Sequence, residues 1–359
     1  MFSYDLASLG WDEFFSSAFA AYQDDPGISA GRVNRVDRGR VDVLTERGLE
    51  HAVLSPQLLA AAADDPTGAP CTGDWLAIRH SPDGRISAEA VLPRRTVFLR
   101  AGVTPRVSKG QVLAANIDTV FVTEGLQPEP DLGRIERLLA LAWQNGAEPV
   151  VVLTKSDLAA DADLLVSDVA RAAPGAAVYA VSAVTGAGLG ALAGYVAPGR
   201  TVALLGPSGA GKSTLTNALA TIEVMATRAP RADHKGRHTT VHRELVLLPG
   251  GGMVIDTPGL RTIGLWDADD GVDRVFADID SLAAECRFSD CEHGSEPGCA
   301  VRAAIDSGLL PERRLTSFHK LQREMVWIAS RTDARLRAER AARWKRISKD
   351  YRRNGRIKP

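Results

Sequence analysis

The sequence predicts a multidomain α/β protein: a small β-barrel first, a mostly parallel sheet covered by helices next, and a cysteine-bearing helical region last. Three observations carry this. Between Gly31 and about Pro105, short alternating runs are separated by turn signals. From about Gln111 to Asp256, apolar strands alternate with helical patterns. Three of the four cysteines then fall between Cys286 and Cys299, and a helical stretch follows from Leu310.

Residues 1–30 read as an amphipathic helical extension, with Leu6, Leu9, Phe14, Phe15 and Phe19 near helical spacing. In the barrel region, 31–107, residues 31–37, 40–44, 72–78 and 86–92 read as strands, with Asp37–Gly39 and Pro82–Gly84 as turns. About five short strands in so few residues suggest a closed barrel of the OB type. In the third region, 108–268, the strands are 118–123, 148–153, 177–181, 202–205 and 252–256, with helices over 130–145 and up to about 173. Such alternation predicts parallel strands with ligands at their carboxyl ends. The last region, 269–359, carries an apolar stripe of Leu315, Phe318, Leu321, Met325 and Ile328.

Composition narrows the class. An apolar fraction of 45% and a charged fraction of 24% suit an ordinary globular protein. Apolar runs fall short of a membrane span, and Met1–Gln23 lacks the basic and apolar regions of a secretory signal. A cytoplasmic monomer with no membrane partner is expected. Net charge is −1, but eleven Lys and Arg residues crowd Ala334–Pro359 against Glu339 and Asp350. A basic end on an acidic body points to RNA phosphates.

The chemistry centres on Gly206, Pro207, Ser208, Gly209, Ala210, Gly211, Lys212, Ser213 and Thr214, a full G-x-x-x-x-G-K-[ST] match. An apolar strand precedes it and helical spacing follows it, as a phosphate loop requires. Its backbone N–H groups and helix N-terminus suit a polyphosphate, Lys212 the β- and γ-phosphates, and Ser213 a Mg²⁺ ion. Thr154, Lys155, Ser156 and Asp157 follow a second strand. There the Asp157 carboxylate can accept from guanine N1–H and N2–H₂ together, a donor pair that adenine lacks. Ser182 and Ala183 end a third strand and would offer backbone N–H to guanine O6. Asp256, Thr257, Pro258 and Gly259 end a fourth, where Asp256 would hold Mg²⁺ through water and the Gly259 N–H would meet the γ-phosphate. Between these lies a basic stretch with Arg237, His238, Thr239 and Thr240, in the manner of a first switch; Thr240 is favoured for Mg²⁺ and γ-phosphate.

The order of these motifs is unusual, because the base-reading loops precede the phosphate loop. The chain therefore reads as a circular permutation of a Ras-like GTPase domain. With the barrel before it and the Cys/His cluster after it, the chain resembles the ribosome small-subunit-dependent GTPase A family, over roughly residues 31–330. The resemblance implies an OB-fold, a permuted Mg²⁺-dependent GTPase and a zinc domain. It also implies a late assembly factor of the small ribosomal subunit, touching its rRNA, with GTP hydrolysis stimulated by that subunit. Two departures stand out: Thr154 replaces the usual Asn, and Val241 follows Thr240 where a third Thr is common.

Leu260 occupies the place of the water-orienting Gln, so His238 or a group from the ribosome would orient the water. Cys286, Cys291, His293 and Cys299 supply three thiolates and an imidazole for one closed, structural Zn²⁺ site. Two other readings remain: a metabolic or metal-handling GTPase away from the ribosome, and a nucleic-acid module with structural nucleotide.

Overall fold

The computed structural model describes residues 4–100, 111–220, 243–256 and 269–332. His238, Thr239, Thr240, Gly259 and the basic stretch 334–359 lie outside them, as does the side chain of Asp256. The chain divides into two units, one holding the barrel and the sheet and the other the last region.

The single helix expected at the start is two short ones. Ala7–Leu9 forms one 3₁₀ turn, ended by Gly10 in the left-handed region (φ 87°). Helix α1, Glu13–Phe19, then starts on Asp12, whose carboxylate accepts from the Phe14 and Phe15 amides. Gly10 and Asp12 are a stop and a start signal two residues apart, and they override the hydrophobic periodicity. Leu9 and Phe15 are buried, and Trp11 stands edge-on to Trp75 with ring centroids 4.7 Å apart.

The barrel comprises β1 (Ile28–Asp37), β2 (Arg40–Thr45), β3 (Gly48–Leu54), β4 (Trp75–His80) and β5 (Ile86–Val91), with helix α2 (Pro56–Asp64) between β3 and β4. The sheet closes in the order β1-β2-β3-β5-β4, through a short parallel pairing of Val53 with Ser87. The inward residues Val33, Val41, Val43, Ala52, Leu76, Ile78 and Ala88 are fully buried. Sequence pattern missed β3 and α2. In β3 the outward positions include Leu49 and Val53, both exposed, which blurs its alternation. Helix α2 carries its signal at the start, where Ser55 caps it and Pro56 opens it.

A two-stranded ribbon, β6 (Val97–Arg100) with β7 (Gln111–Ala115), leads from the barrel. The sheet follows as β8 (Thr119–Gly125), α3 (Leu132–Gln144), β9 (Glu148–Thr154), α4 (Ala162–Ala172), β10 (Ala177–Ala180), β11 (Thr201–Leu205), α5 (Lys212–Ala220), β12 (Glu244–Leu247) and β13 (Met253–Asp256). Spatial order is β10-β9-β8-β11-β13-β12, all parallel except β12, which pairs antiparallel to β13. Phe121, Val150, Val152, Val202 and Val254 are fully buried, as strands covered on both faces must be. The edge strand β12 is four residues long and gave no periodic signal.

Arg32 of β1 joins barrel to sheet. All five of its N–H groups find acceptors, and none of those is a carboxylate. They are the carbonyls of Leu9, Gly73 (3.4 Å) and Asn116 (3.0 Å), the Thr201 hydroxyl (2.8 Å) and the Met253 sulfur (3.5 Å). Complete burial pulls its guanidinium down to about 10, with Asp118 and Asp74 opposing. It still carries its charge at neutral pH, so the bonds to carbonyl dipoles are charge-assisted.

In the second unit, α6 (Asp269–Val275), α7 (Ala277–Ala283), α8 (Ala300–Asp306) and α9 (Glu312–Thr332) enclose a core of Phe276, Ile279, Val301, Leu315, Phe318, Leu321 and Ile328. Met325 of the predicted stripe is half-buried. Arg314 is buried, forks onto the Asp278 carboxylate at 2.6 and 3.1 Å, and lies 4.6 Å from the Phe276 ring centre.

Candidate functional site

Five parallel strands end on one edge of the sheet, and the phosphate loop, the Thr154–Asp157 loop, the Ser182 loop and Asp256 each lie at such an end. The phosphate loop runs from β11 into α5. It turns through positive φ at Gly206 (155°), Gly209 (82°) and Gly211 (79°). At Gly206 space is decisive as well: a Cβ there would stand 2.0 Å from the Thr123 carbonyl oxygen of β8. Lys212 opens α5 and folds over the loop, donating from Nζ to the carbonyls of Gly206 (2.9 Å) and Pro207 (2.6 Å). Its ammonium therefore sits over the loop's N–H-rich turn, with Ser213 next along the helix.

The base-reading loop leaves β9 and is tied on two sides. Thr154 is buried, and its hydroxyl donates to the Ala210 carbonyl of the phosphate loop at 2.7 Å; the Glu124 carbonyl lies 3.3 Å away. A Cβ at Gly211 would come within 3.3 Å of the Thr154 hydroxyl oxygen. Threonine in place of the usual Asn thus still fastens the two loops together. On the other side, the Ser156 N–H donates to the Val181 carbonyl at 3.2 Å. Lys155 holds φ 61°, and its side chain runs over Gly125, with Nζ 3.7 Å from where a Cβ there would stand. Asp157 is exposed at the start of a 3₁₀ turn.

Ser182 is fully buried and shapes the third loop. Its hydroxyl accepts from Thr185 N–H (3.1 Å), its N–H donates to the Ala187 carbonyl (2.9 Å), and its carbonyl accepts from Gly186 (2.9 Å). Ala183 follows, half-buried. Asp256 ends β13, which pairs with β11 through Ala203 and Ile255. A hydroxyl from Ser213 and a carboxylate from Asp256 are hard oxygen donors that suit Mg²⁺. Sequence reasoning missed the buried Glu124, which accepts from Arg134 at 2.6 and 3.0 Å and braces the end of β8 beside these loops. Only the glycine closing β8 hinted at a packed strand end.

In the second unit, Cys286, Cys291, His293 and Cys299 place their ligand atoms within 4.8 Å of one another. Cys286 Sγ lies 3.9 Å from Cys299 Sγ and 3.7 Å from His293 Nδ1, which is 3.5 Å from Cys299 Sγ. A tetrahedron with Zn–S of about 2.3 Å and Zn–N of about 2.0 Å has S–S edges of about 3.8 Å and S–N edges of about 3.5 Å. The donor set fits one Zn²⁺ with no open position. Disulfide bonding would need sulfurs about 2 Å apart. Cys299 caps α8 and accepts from the Arg302 N–H at 3.4 Å. Burial opposes the Cys286 thiolate, yet the Val301 and Ala300 N–H groups hold that thiol below its usual range. Arg302 also donates from Nε to the carbonyls of His293 and Gly294 (3.1 and 3.0 Å), and His293 itself holds φ 58°.

The chain is 53% identical over 348 residues to the small ribosomal subunit biogenesis GTPase RsgA of Streptomyces avermitilis, covering 96% of this chain and 92% of that protein. It belongs to the RsgA GTPase family. The RsgA GTPase family model matches residues 91–266. The RsgA protein of Opitutus terrae is 46% identical, with 98% of each chain covered. Among solved structures, YjeQ from Thermotoga maritima superposes with a TM-score of 0.61 at 27% identity, over 83% of this chain and 99% of that one. YloQ, described as a circularly permuted GTPase, superposes with a TM-score of 0.57 at 23% identity and supports the fold. The barrel, the permuted strand order and the Cys/His cluster expected from the sequence are thus the architecture of an RsgA GTPase family member.

The phosphate loop offers a direct test. Gly206→Ala should weaken GDP binding by about tenfold or more, because the new Cβ must push the loop off the Thr123 carbonyl. Calorimetric titration with Mg-GDP measures it, and wild-type affinity in the variant would contradict the placement of that loop.

Proposed function

We propose that this chain binds GTP with Mg²⁺, hydrolyses it to GDP and phosphate, and acts in the biogenesis of the small ribosomal subunit, in the cytoplasm. The observation that carries the nucleotide assignment is the pair of ties at the strand ends. Thr154 links the base-reading loop to the phosphate loop, and Ser156 links it to the Ser182 loop. A base and its phosphates are then read by one pre-assembled surface. Asp157 selects guanine, Lys155 lies along the base plane, and Ser182 and Ala183 stand at the O6 edge. Gly206–Thr214 cradle the phosphates, with Lys212 neutralising charge. Ser213 and Asp256 hold Mg²⁺, which supplies further charge neutralisation when bound. Thr240 and Gly259 complete the γ-phosphate contacts. His238, or a group from the ribosome, orients the attacking water. The names of the RsgA relatives support the small subunit as partner.

Steady-state hydrolysis of GTP and ATP, each with and without purified small ribosomal subunits, tests the reading. The expected result is slow GTP turnover by the protein alone and at least tenfold stimulation by the subunit, with ATP inert; the scale follows from a missing group supplied in trans. GTP turnover with no response to the subunit would retain the enzyme and discard the partner. Equal turnover of ATP would discard the base assignment.

A further inference from the structure

Besides β7 and the start of β11, the barrel contacts the β12–β13 hairpin of the sheet. That hairpin begins directly after the stretch holding Thr239 and Thr240 and ends on Asp256. Both stretches proposed to sense the γ-phosphate are therefore rooted in it. The barrel touches it at three places. Thr72 lies with its hydroxyl 3.4 Å from the Arg243 carbonyl, one residue before β12. Gly73 meets Ile255, the residue before Asp256: a Cβ at Gly73 would stand 3.1 Å from Ile255 Cδ1 and 2.2 Å from the Ala115 carbonyl oxygen. Arg32 reaches Met253 at the start of β13 and Thr201 at the start of β11, the strand that leads to the phosphate loop.

The loop making these contacts is held firmly on the barrel side. Asp74 is fully buried; its carboxylate accepts from the Cys71 N–H and from both nitrogens of an Arg94 fork at 2.7 Å. Arg94 also donates to the Thr67 and Ala69 carbonyls. The Val33 N–H donates to the Asp74 carbonyl (2.7 Å), and the Gly73 N–H returns to the Val33 carbonyl (2.9 Å). The 71–74 loop thus continues the pairing of β4 with β1. A left-handed glycine packed with no room for a methyl group transmits displacement rather than absorbing it.

Taking the GTPase reading above as given, we propose that Thr72 and Gly73 are positioning residues that couple the barrel to the hairpin carrying Asp256. Nucleotide state then alters the 71–74 loop, and whatever binds the barrel alters hydrolysis. Linkage makes the two effects reciprocal, and the hairpin is the element that both sites bias.

Amide hydrogen exchange on the full chain tests this without any partner. Between Mg-GDP and a Mg-bound non-hydrolysable GTP analogue, the amides of Val33, Gly73, Asp74 and Ala115 should change protection by about fivefold, the lower range for coupled sites. Thr72→Val should cut that difference to about twofold or less, whereas Thr72→Ser, which keeps the hydroxyl, should preserve it. Basal GTP turnover and the melting temperature should stay near wild type in both. Identical protection in the two nucleotide states of the wild type, or a full difference surviving in Thr72→Val, overturns the coupling. A second reading separates this failure from that of the functional assignment. If small subunits stimulate wild type and Thr72→Val equally, the coupling through Thr72 is wrong while the ribosomal role stands. If subunits stimulate neither, the ribosomal role fails and the exchange data alone decide the coupling.

Discussion

Asp157→Asn is expected to weaken guanine nucleotide binding by about 100-fold and to bring xanthine nucleotide binding up to a comparable strength. Guanine presents two N–H donors on the edge that Asp157 would read, and a carboxylate accepts both. Asparagine offers one acceptor and one donor, so one bond is lost and one donor faces another. Each charge-assisted bond is worth about 1.5–3 kcal/mol, which sets the scale of the loss. Xanthine carries a carbonyl where guanine carries its amino group, and the Asn pair matches it. The variant should fold normally. Asp157 is exposed, and the ties that shape its loop run through the Thr154 hydroxyl and the Ser156 N–H, neither of which changes. Titration with Mg-GDP and Mg-XDP, alongside a thermal melt, is the check. Guanine binding left intact in a variant of unchanged stability would mean that Asp157 does not face the base.

Much of this site was legible because its residues carry their chemistry in local sequence. The glycine loop, the Thr154–Asp157 tetrapeptide and the Cys/His spacing are each contiguous, and each follows a recognisable element. The permutation was legible from their order alone. What the sequence hid is contact between distant segments. Nothing in the sequence distinguishes Arg32 from the other barrel arginines, yet it is buried among carbonyls from three segments of the chain and a hydroxyl from a fourth. Thr72 and Gly73 read as the start of a strand, whereas the strand begins at Trp75 and the two residues form a docking loop. The start of the chain misled for the opposite reason: five apolar residues at helical spacing outweighed Gly10 and Asp12, although capping decides where a short helix begins and ends.

The second large effect concerns zinc. Removing it with a strong chelator, or substituting Cys299→Ala, should unfold α6, α7 and α8 while leaving Mg-GDP binding by the first unit in place. Those three helices are seven residues each, too short to persist without tertiary support. The stretch from Cys286 to Cys299 joins α7 to α8 without regular structure of its own, so the metal is what fixes the approach of the two helices. Structural zinc in small modules contributes an apparent ~10–16 kcal/mol at neutral pH, more than a core this size can replace. Cys299 is the most consequential of the four ligands because it also caps α8, and its loss leaves the Arg302 N–H without that acceptor. Cys71 supplies the control: it is buried in the barrel region, and burial with the adjacent Asp74 pushes its thiol well above the usual range, so Cys71→Ala should keep all the zinc. Metal content per chain, limited proteolysis and far-UV dichroism report the outcome together. One equivalent of zinc retained in Cys299→Ala, with wild-type resistance to protease, would remove Cys299 from the ligand set. Loss of zinc with no loss of helix would leave the site intact and show that the α6–α9 core stands without it.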